Sequence, residues 1–153
     1  RGVEFEVTHD FQNGLSVFGG LTYVDAEVTR DAVFGGNRPA RAPKVSAAIF
    51  AQYEVPQVDG LALGVGVRHT GSRFSDIGNT LEMSSVTLLD ASVTYEVNDW
   101  NIQLSGRNLA DKEYIGYCGG AFLPLGSAAL DSVAGSCVYG AGREISLSVQ
   151  RNF

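Results

Sequence analysis

The chain has 153 residues, with only 18% charged, a formal net charge of −6 and 19 glycines. The acidic balance excludes a nucleic-acid binder, which needs basic patches to meet phosphates. No apolar run approaches the roughly 20 residues of a membrane-spanning helix, so any membrane element here is a strand, whose alternation hides hydrophobicity from an average. Glycine is about 12%, against a usual ~7%, and the near-zero mean hydropathy of +0.04 fits membrane strands but also a soluble all-β protein. Arg1-Gly2-Val3-Glu4 starts inside a strand pattern without a signal peptide. The expectation is a processed piece or a cut from a longer chain.

In chain order, Val3, Phe5, Val7, His9 and Phe11 alternate with Glu4, Glu6, Thr8 and Asp10, which is the period of a strand. Gln12-Asn13-Gly14 reads as a tight turn. Leu15, Val17, Gly19, Leu21 and Tyr23 give a second apolar face, which fades near Val28. Thr29 to Ala42 is a polar loop. Arg38-Pro39-Ala40-Arg41-Ala42-Pro43-Lys44 then leads into a third strand, with Val45, Ala47, Ile49, Ala51, Tyr53 and Val55 on one face. The prolines are read as punctuation of a strand start, without a direct role. After a turn at Pro56–Gly60, Leu61, Leu63, Val65 and Val67 point one way, and Gly64, Gly66 and Arg68 the other. A polar loop around Ser75 to Met83 precedes a fifth strand, with Leu89, Ala91, Val93, Tyr95 and Val97 against Asp90, Ser92, Thr94 and Glu96. Asn98-Asp99 turns the chain into a sixth, with Trp100, Ile102 and Leu104 opposed to Asn101, Gln103, Ser105 and Arg107. A long loop carries both cysteines. The last strand sets Ile145, Leu147, Val149 and Phe153 against Glu144, Ser146, Ser148, Gln150 and Asn152.

Short turns and long loops alternate strictly, as in outer-membrane barrels with short inner turns and long outer loops. Phe11, Tyr53, Tyr95, Trp100 and Phe153 gather near the short-turn ends on the apolar face, where rings form an interfacial girdle. Seven strands is an odd number, and single-chain bacterial barrels are normally even. The seven are therefore expected to be part of a larger barrel.

The run Arg107-Asn108-Leu109-Ala110-Asp111-Lys112-Glu113-Tyr114 resembles the N-L-x-D-K-x-Y signature of TonB-dependent outer-membrane receptors, ferric-siderophore branch. Cys118, Cys137, Tyr139-Gly140, Arg143 and a final Phe153, the C-terminal assembly signal, follow in that family's order. Arg151 departs from the pattern, standing where the family usually has an aromatic or apolar residue. Arg38 to Lys44 is similar to the family's R-P-x-x-x-P-K strand entry. The resemblance implies an all-β antiparallel transmembrane barrel segment. Residues 1–153 would be the C-terminal portion of a 22-stranded barrel, with the plug domain outside this sequence. It implies a bacterial outer-membrane location and TonB-dependent uptake of a ferric siderophore, with haem, cobalamin or a glycan as other ligands of such receptors. Its partners would be the TonB complex acting through the plug, outer-membrane lipid and the barrel assembly machinery.

No catalytic constellation stands out. His9 and His69 lie on apolar faces of different strands, no Gly-x-Ser-x-Gly elbow occurs, and the cysteines lack zinc spacing. An adhesin-like barrel would need an even strand count, and a barrel enzyme a Ser–His or carboxylate–His pair. No cofactor or metal is expected. Two cysteines around a Gly-rich loop suit an oxidising compartment. A Cys118–Cys137 disulfide is expected, with two free buried thiols as the alternative. Tyr117, Phe122 and Tyr139 of this loop are the candidate ligand-facing residues. The two-residue turn puts Val97 opposite Trp100, which brings Asp90 and Arg107 together as a barrel-wall ion pair.

Overall fold

The computed structural model describes residues 1–119 and 136–152. Phe122 and Phe153 lie outside the described residues. Eleven strands appear among them: β1 (Gly2–Asp10), β2 (Leu15–Val24), β3 (Val45–Glu54), β4 (Leu61–Thr70), β5 (Arg73–Phe74), β6 (Glu82–Met83), β7 (Val86–Val97), β8 (Trp100–Arg107), β9 (Ile115–Gly119), β10 (Ser136–Tyr139) and β11 (Glu144–Arg151). Seven of them form one antiparallel sheet in the order β1-β2-β3-β4-β7-β8-β11. Those seven are the strands read from alternation. The two added hairpins, β5–β6 and β9–β10, are too short or too glycine-rich to show a period.

Every neighbour in the main sheet is also the next long strand in sequence, so each pairing is a hairpin. The turns are set by small polar residues. In the first, Asp10 Oδ1 accepts the N–H of Gln12 at 2.8 Å and Asn13 Oδ1 that of Leu15 at 3.1 Å. Asn98, at φ 51°, takes the left-handed conformation that Asn tolerates in the two-residue turn.

The registers bring the apolar positions onto one continuous face. Ile49 lies opposite both Gly19 and Val67, Val65 opposite Ala51 and Ala91, and Leu104 opposite Val93 and Leu147. Among the described residues no second sheet covers this face, and Ile49 is 53% and Val65 49% exposed. In water, so large an apolar surface would drive association. Against hydrocarbon it is the matching solvent. The sheet is open, with β1 and β11 as its edges.

The opposite face is more polar, but it carries Val86 and Leu88 near the long loops and an aromatic pair further along the sheet. Phe18 and Phe50 pack with ring centroids 5.0 Å apart. Phe50 lies over Gly64 and Gly66, where an added Cβ would come within 2.6 and 2.7 Å of the ring. These two strand glycines therefore make room for an aromatic side chain.

The expected Asp90–Arg107 ion pair is not formed. The hairpin register is the expected one, with Val97 opposite Trp100 and Ala91 opposite Gly106. The Asp90 carboxylate instead turns to the other neighbouring strand. Arg68 Nε and Nη2 donate to its two oxygens at 2.5 and 3.0 Å, and the N–H of Asn108 donates to Oδ1 at 3.0 Å. Gly66, directly opposite Asp90, carries no side chain, so the guanidinium of Arg68 can lie along the sheet and make a fork. With Arg68 on both oxygens and the Asn108 amide on Oδ1, the carboxylate is already fully engaged.

Candidate functional site at the outer loops

The three long connections, residues 25–44, 71–85 and 108–143, emerge at one end of the sheet. Among the described residues the few buried side chains lie in these loops or next to them: Met83 and Cys118 within them, Asn108 at the foot of the last, and Val86 and Leu88 at the start of β7.

Each loop is first ordered by a carboxylate or amide. Asp31 accepts the N–H groups of Val33 and Phe34 at 2.9 Å each. The Phe34 and Val33 amides hold its carboxyl below the usual carboxylate range. Asp76 closes the β5–β6 hairpin by accepting from the amides of Thr80 and Leu81 and from the Thr80 hydroxyl. Partial burial pushes its pKa up, but the Leu81 and Thr80 donors outweigh it, so the carboxyl stays below its ordinary value of 3.8.

Arginines then tie loop to loop. Asn79 exchanges hydrogen bonds with the Arg38 backbone at 2.8 and 2.9 Å, and the N–H of Arg41 donates to the Phe74 carbonyl at 2.7 Å. Arg38 Nη2 donates to the carbonyls of Ser72 and Ala42. Arg41 Nη2 donates to the Tyr117 hydroxyl at 2.9 Å, with the guanidinium 4.5 Å from the ring centre. Arg73 Nη2 donates to the Gly116 carbonyl at 3.2 Å, while its Nη1 is buried without a partner among the described residues. The segment from Arg38 to Pro43 therefore does more than punctuate a strand. Its two arginines clasp the neighbouring loops, a role that their spacing beside two prolines could have signalled.

The signature from Asn108 to Arg143 is an anchor for the last loop. Asn108, 2% exposed, donates through Nδ2 to the carbonyls of Lys112 and Ala141 and accepts the Lys112 N–H. Asp111 Oδ1 accepts the N–H of Arg143 at 2.8 Å. The Tyr114 ring lies against Gly140 so closely that any side chain there would collide with it. Both feet of the loop are thus pinned before the hairpin β9–β10 begins.

Cys118 and Cys137 stand directly opposite each other in that hairpin and form the disulfide. Tyr117 is 44% exposed and engaged by Arg41, while Tyr139 is 72% exposed. Tyr117 faces Val138, and the register shifts before Tyr139, so the two rings share the hairpin without being cross-strand partners. His9 stacks edge-on against Phe11, with centroids 4.5 Å apart, and His69 Nδ1 lies 2.8 Å from Thr87 Oγ1. Among the described residues no three His, Cys, Asp or Glu side chains gather to hold a metal.

This arrangement of a lipid-facing sheet below clasped loops has known counterparts. Residues 1–109 match the family described as TonB dependent receptor-like, beta-barrel. The chain is 38% identical over 125 residues to the ferrichrome outer membrane transporter/phage receptor of Escherichia coli K12, covering 77% of this chain and 17% of that protein. It is 37% identical over 127 residues to the ferrioxamine receptor of Yersinia enterocolitica, covering 77% and 18%. The chain therefore spans less than a fifth of the length of these relatives, which are receptors rather than enzymes. Two solved structures share its fold. The siderophore receptor PiuA from Acinetobacter baumannii has a TM-score of 0.78 at 24% identity, over 97% of this chain and 21% of that one. The ferric yersiniabactin uptake receptor FyuA from Yersinia pestis has a TM-score of 0.83 at 22% identity, over 99% and 23%. On the family match over residues 1–109 and on these relatives, the chain belongs to the TonB-dependent receptor-like β-barrel family of the bacterial outer membrane.

Proposed function

We propose that these residues form the C-terminal portion of a receptor barrel that takes up a ferric siderophore, its remaining strands and plug lying in the rest of the receptor. The observation that carries this reading is the similarity above 35% to a ferrichrome and a ferrioxamine receptor over 77% of the chain. The outer loops support it. They are braced against one another, and they present Tyr117, Tyr139 and the exposed guanidinium of Arg41 at the outer end. Aromatic faces suit the apolar surface of a chelate, and fixed donors suit its oxygens. The cargo passes unchanged. The ferric ion is held by the chelator and is substrate, not a resident metal. Energy for release comes through TonB, which needs the plug. Lipid covers the apolar face, and the assembly machinery reads the final strand.

The test is iron-restricted growth of cells carrying the full-length receptor, supplied with single siderophores. Deleting residues 119–136 should leave receptor abundance in the outer membrane close to normal, because outer loops tolerate change better than strands. It should weaken growth on one siderophore. If no siderophore depends on the intact receptor, and haem, cobalamin or a glycan does, the siderophore reading fails while the barrel assignment stands.

A further inference from the structure

The turn between β1 and β2 needs a glycine at its end. Gly14 sits at φ 88°, in the left-handed region, and an added Cβ would stand 2.6 Å from the Glu54 carbonyl oxygen. Its own carbonyl accepts the N–H of Glu54 at 2.8 Å, which ties the turn to β3. The residue before it is Asn13, and this Asn-Gly pair is the only one in the chain. The fold therefore keeps an asparagine next to the least hindered residue there is.

The local geometry sets up a reaction between the two. Asn13 is exposed, and its Oδ1 accepts the N–H of Leu15 at 3.1 Å. That bond folds the carboxamide back over the turn and closes a ring of atoms that includes the Gly14 nitrogen. It also draws electron density away from the carboxamide carbon. The Gly14 N–H donates to no acceptor among the described residues, so solvent can take its proton. Short turns of such barrels stand on the inner side of the outer membrane, in water.

We propose that Asn13-Gly14 is a site of spontaneous succinimide formation, which converts Asn13 into aspartate and isoaspartate in the folded receptor. The deprotonated Gly14 nitrogen attacks Asn13 Cγ, and the carboxamide nitrogen leaves as ammonia. The product is a five-membered imide. Water then adds to either of its carbonyls. Opening on one side restores the ordinary backbone with aspartate, and opening on the other leaves the backbone running through the former side chain. The ring closure is intramolecular, so placement of the two groups governs it and no cofactor or enzyme is needed.

The two products differ in effect. Aspartate still offers an oxygen to the Leu15 N–H. Isoaspartate adds a methylene to the turn and displaces the carbonyl, which loosens the pairing of Asp10 with Ser16 where the hairpin begins. Both place a new carboxylate close to Asp10, whose Oδ1 already accepts the Gln12 N–H. The inference goes beyond uptake and does not depend on the cargo.

The experiment incubates the full-length receptor in detergent in a weakly alkaline buffer, with a urea-unfolded sample alongside. Trypsin digestion then runs in heavy-oxygen water, which labels any conversion that follows unfolding. The peptide from Gly2 to Arg30 holds Asn13 as its single susceptible asparagine-glycine pair. In the folded sample it should gain the mass of exchanging –NH2 for –OH, without the heavy label. It should also split into two peaks, one coeluting with the same peptide from Asn13→Asp. Folded and unfolded receptor should convert at similar rates. Asn13→Gln, whose imide ring would be six-membered, should convert about tenfold more slowly. The peptide from Phe74 to Arg107, which carries Asn79, Asn98 and Asn101, should stay unchanged over the same interval. Conversion in the unfolded sample alone would show that the turn protects Asn13 and would overturn the proposal. So would equal conversion in the Phe74 to Arg107 peptide. A single product that coelutes with Asn13→Asp would mean direct hydrolysis without the imide, and would overturn it as well.

Discussion

Asn108 and Lys112 hold each other in a ring of two hydrogen bonds: Asn108 Nδ2 donates to the Lys112 carbonyl at 3.0 Å, and the Lys112 N–H returns to Asn108 Oδ1 at 2.9 Å. The same Nδ2 reaches the Ala141 carbonyl at 3.1 Å. One buried amide therefore joins the two feet of a loop that are far apart in sequence. Asn108→Ala should destabilise the full-length receptor by roughly 2–3 kcal/mol, since it strands a buried amide N–H and two carbonyls. A urea midpoint in lipid vesicles that matches wild type would contradict the anchoring role.

The Arg68–Asp90 fork, not Arg107, should dominate the luminal wall. Arg68 is 41% exposed at its side chain, so the coupling in a double-mutant cycle with Asp90→Asn should be only about 1 kcal/mol. Arg107→Gln should change stability by less than about 0.5 kcal/mol. A larger loss for Arg107→Gln than for Arg68→Gln would reverse this assignment.

Charge on the outward face should be expensive in a depth-dependent way. Ile49→Arg or Val65→Arg, at the middle of the strands, should cost about 2–4 kcal/mol in unfolding measurements from vesicles. Thr94→Lys, on the polar face, should cost little. Equal costs for the two faces would mean that the sheet does not meet lipid as described.

The β5–β6 hairpin should loosen in acid. The Asp76 carboxyl lies below its ordinary value of 3.8 in the folded loop. The stability it contributes is therefore complete above that value and is lost as pH falls through the lower, folded one. A nitroxide at the exposed Glu82 should report constant mobility from neutrality down to about pH 4, and rising mobility below it. Asp76→Asn should remove the acid dependence. A mobility change centred near neutrality would point to another group.

The spanning strands were legible because lipid on one side and a polar lumen on the other enforce strict alternation. Ile49, Val65 and Leu104 could be placed on the correct face from their positions alone. The turns were legible because Asn13-Gly14 and Asn98-Asp99 have few other uses. The Asp90 partner was not. Register fixes which backbones face each other, but a long side chain such as Arg68 reaches diagonally, and a glycine opposite leaves it room. The loop clasps were equally hidden. Arg41 and Tyr117 are 76 residues apart, and nothing periodic connects them. The signature from Asn108 to Tyr114 was visible as a pattern before its physical purpose, a pinned loop base, could be seen.

The match between chain order and sheet order has a kinetic consequence. Each strand can be added to the growing sheet by closing only the connection that precedes it, so pairing can advance like a zip. The slowest closure is that between Arg107 and Glu144, across the longest loop. Closure entropy rises only logarithmically with length, but it has to be met before the last strand makes any contact. The Cys118–Cys137 bond and the small hairpin around it shorten that span beforehand. Oxidation of the two thiols should therefore speed the docking of β11 more than it strengthens the finished barrel.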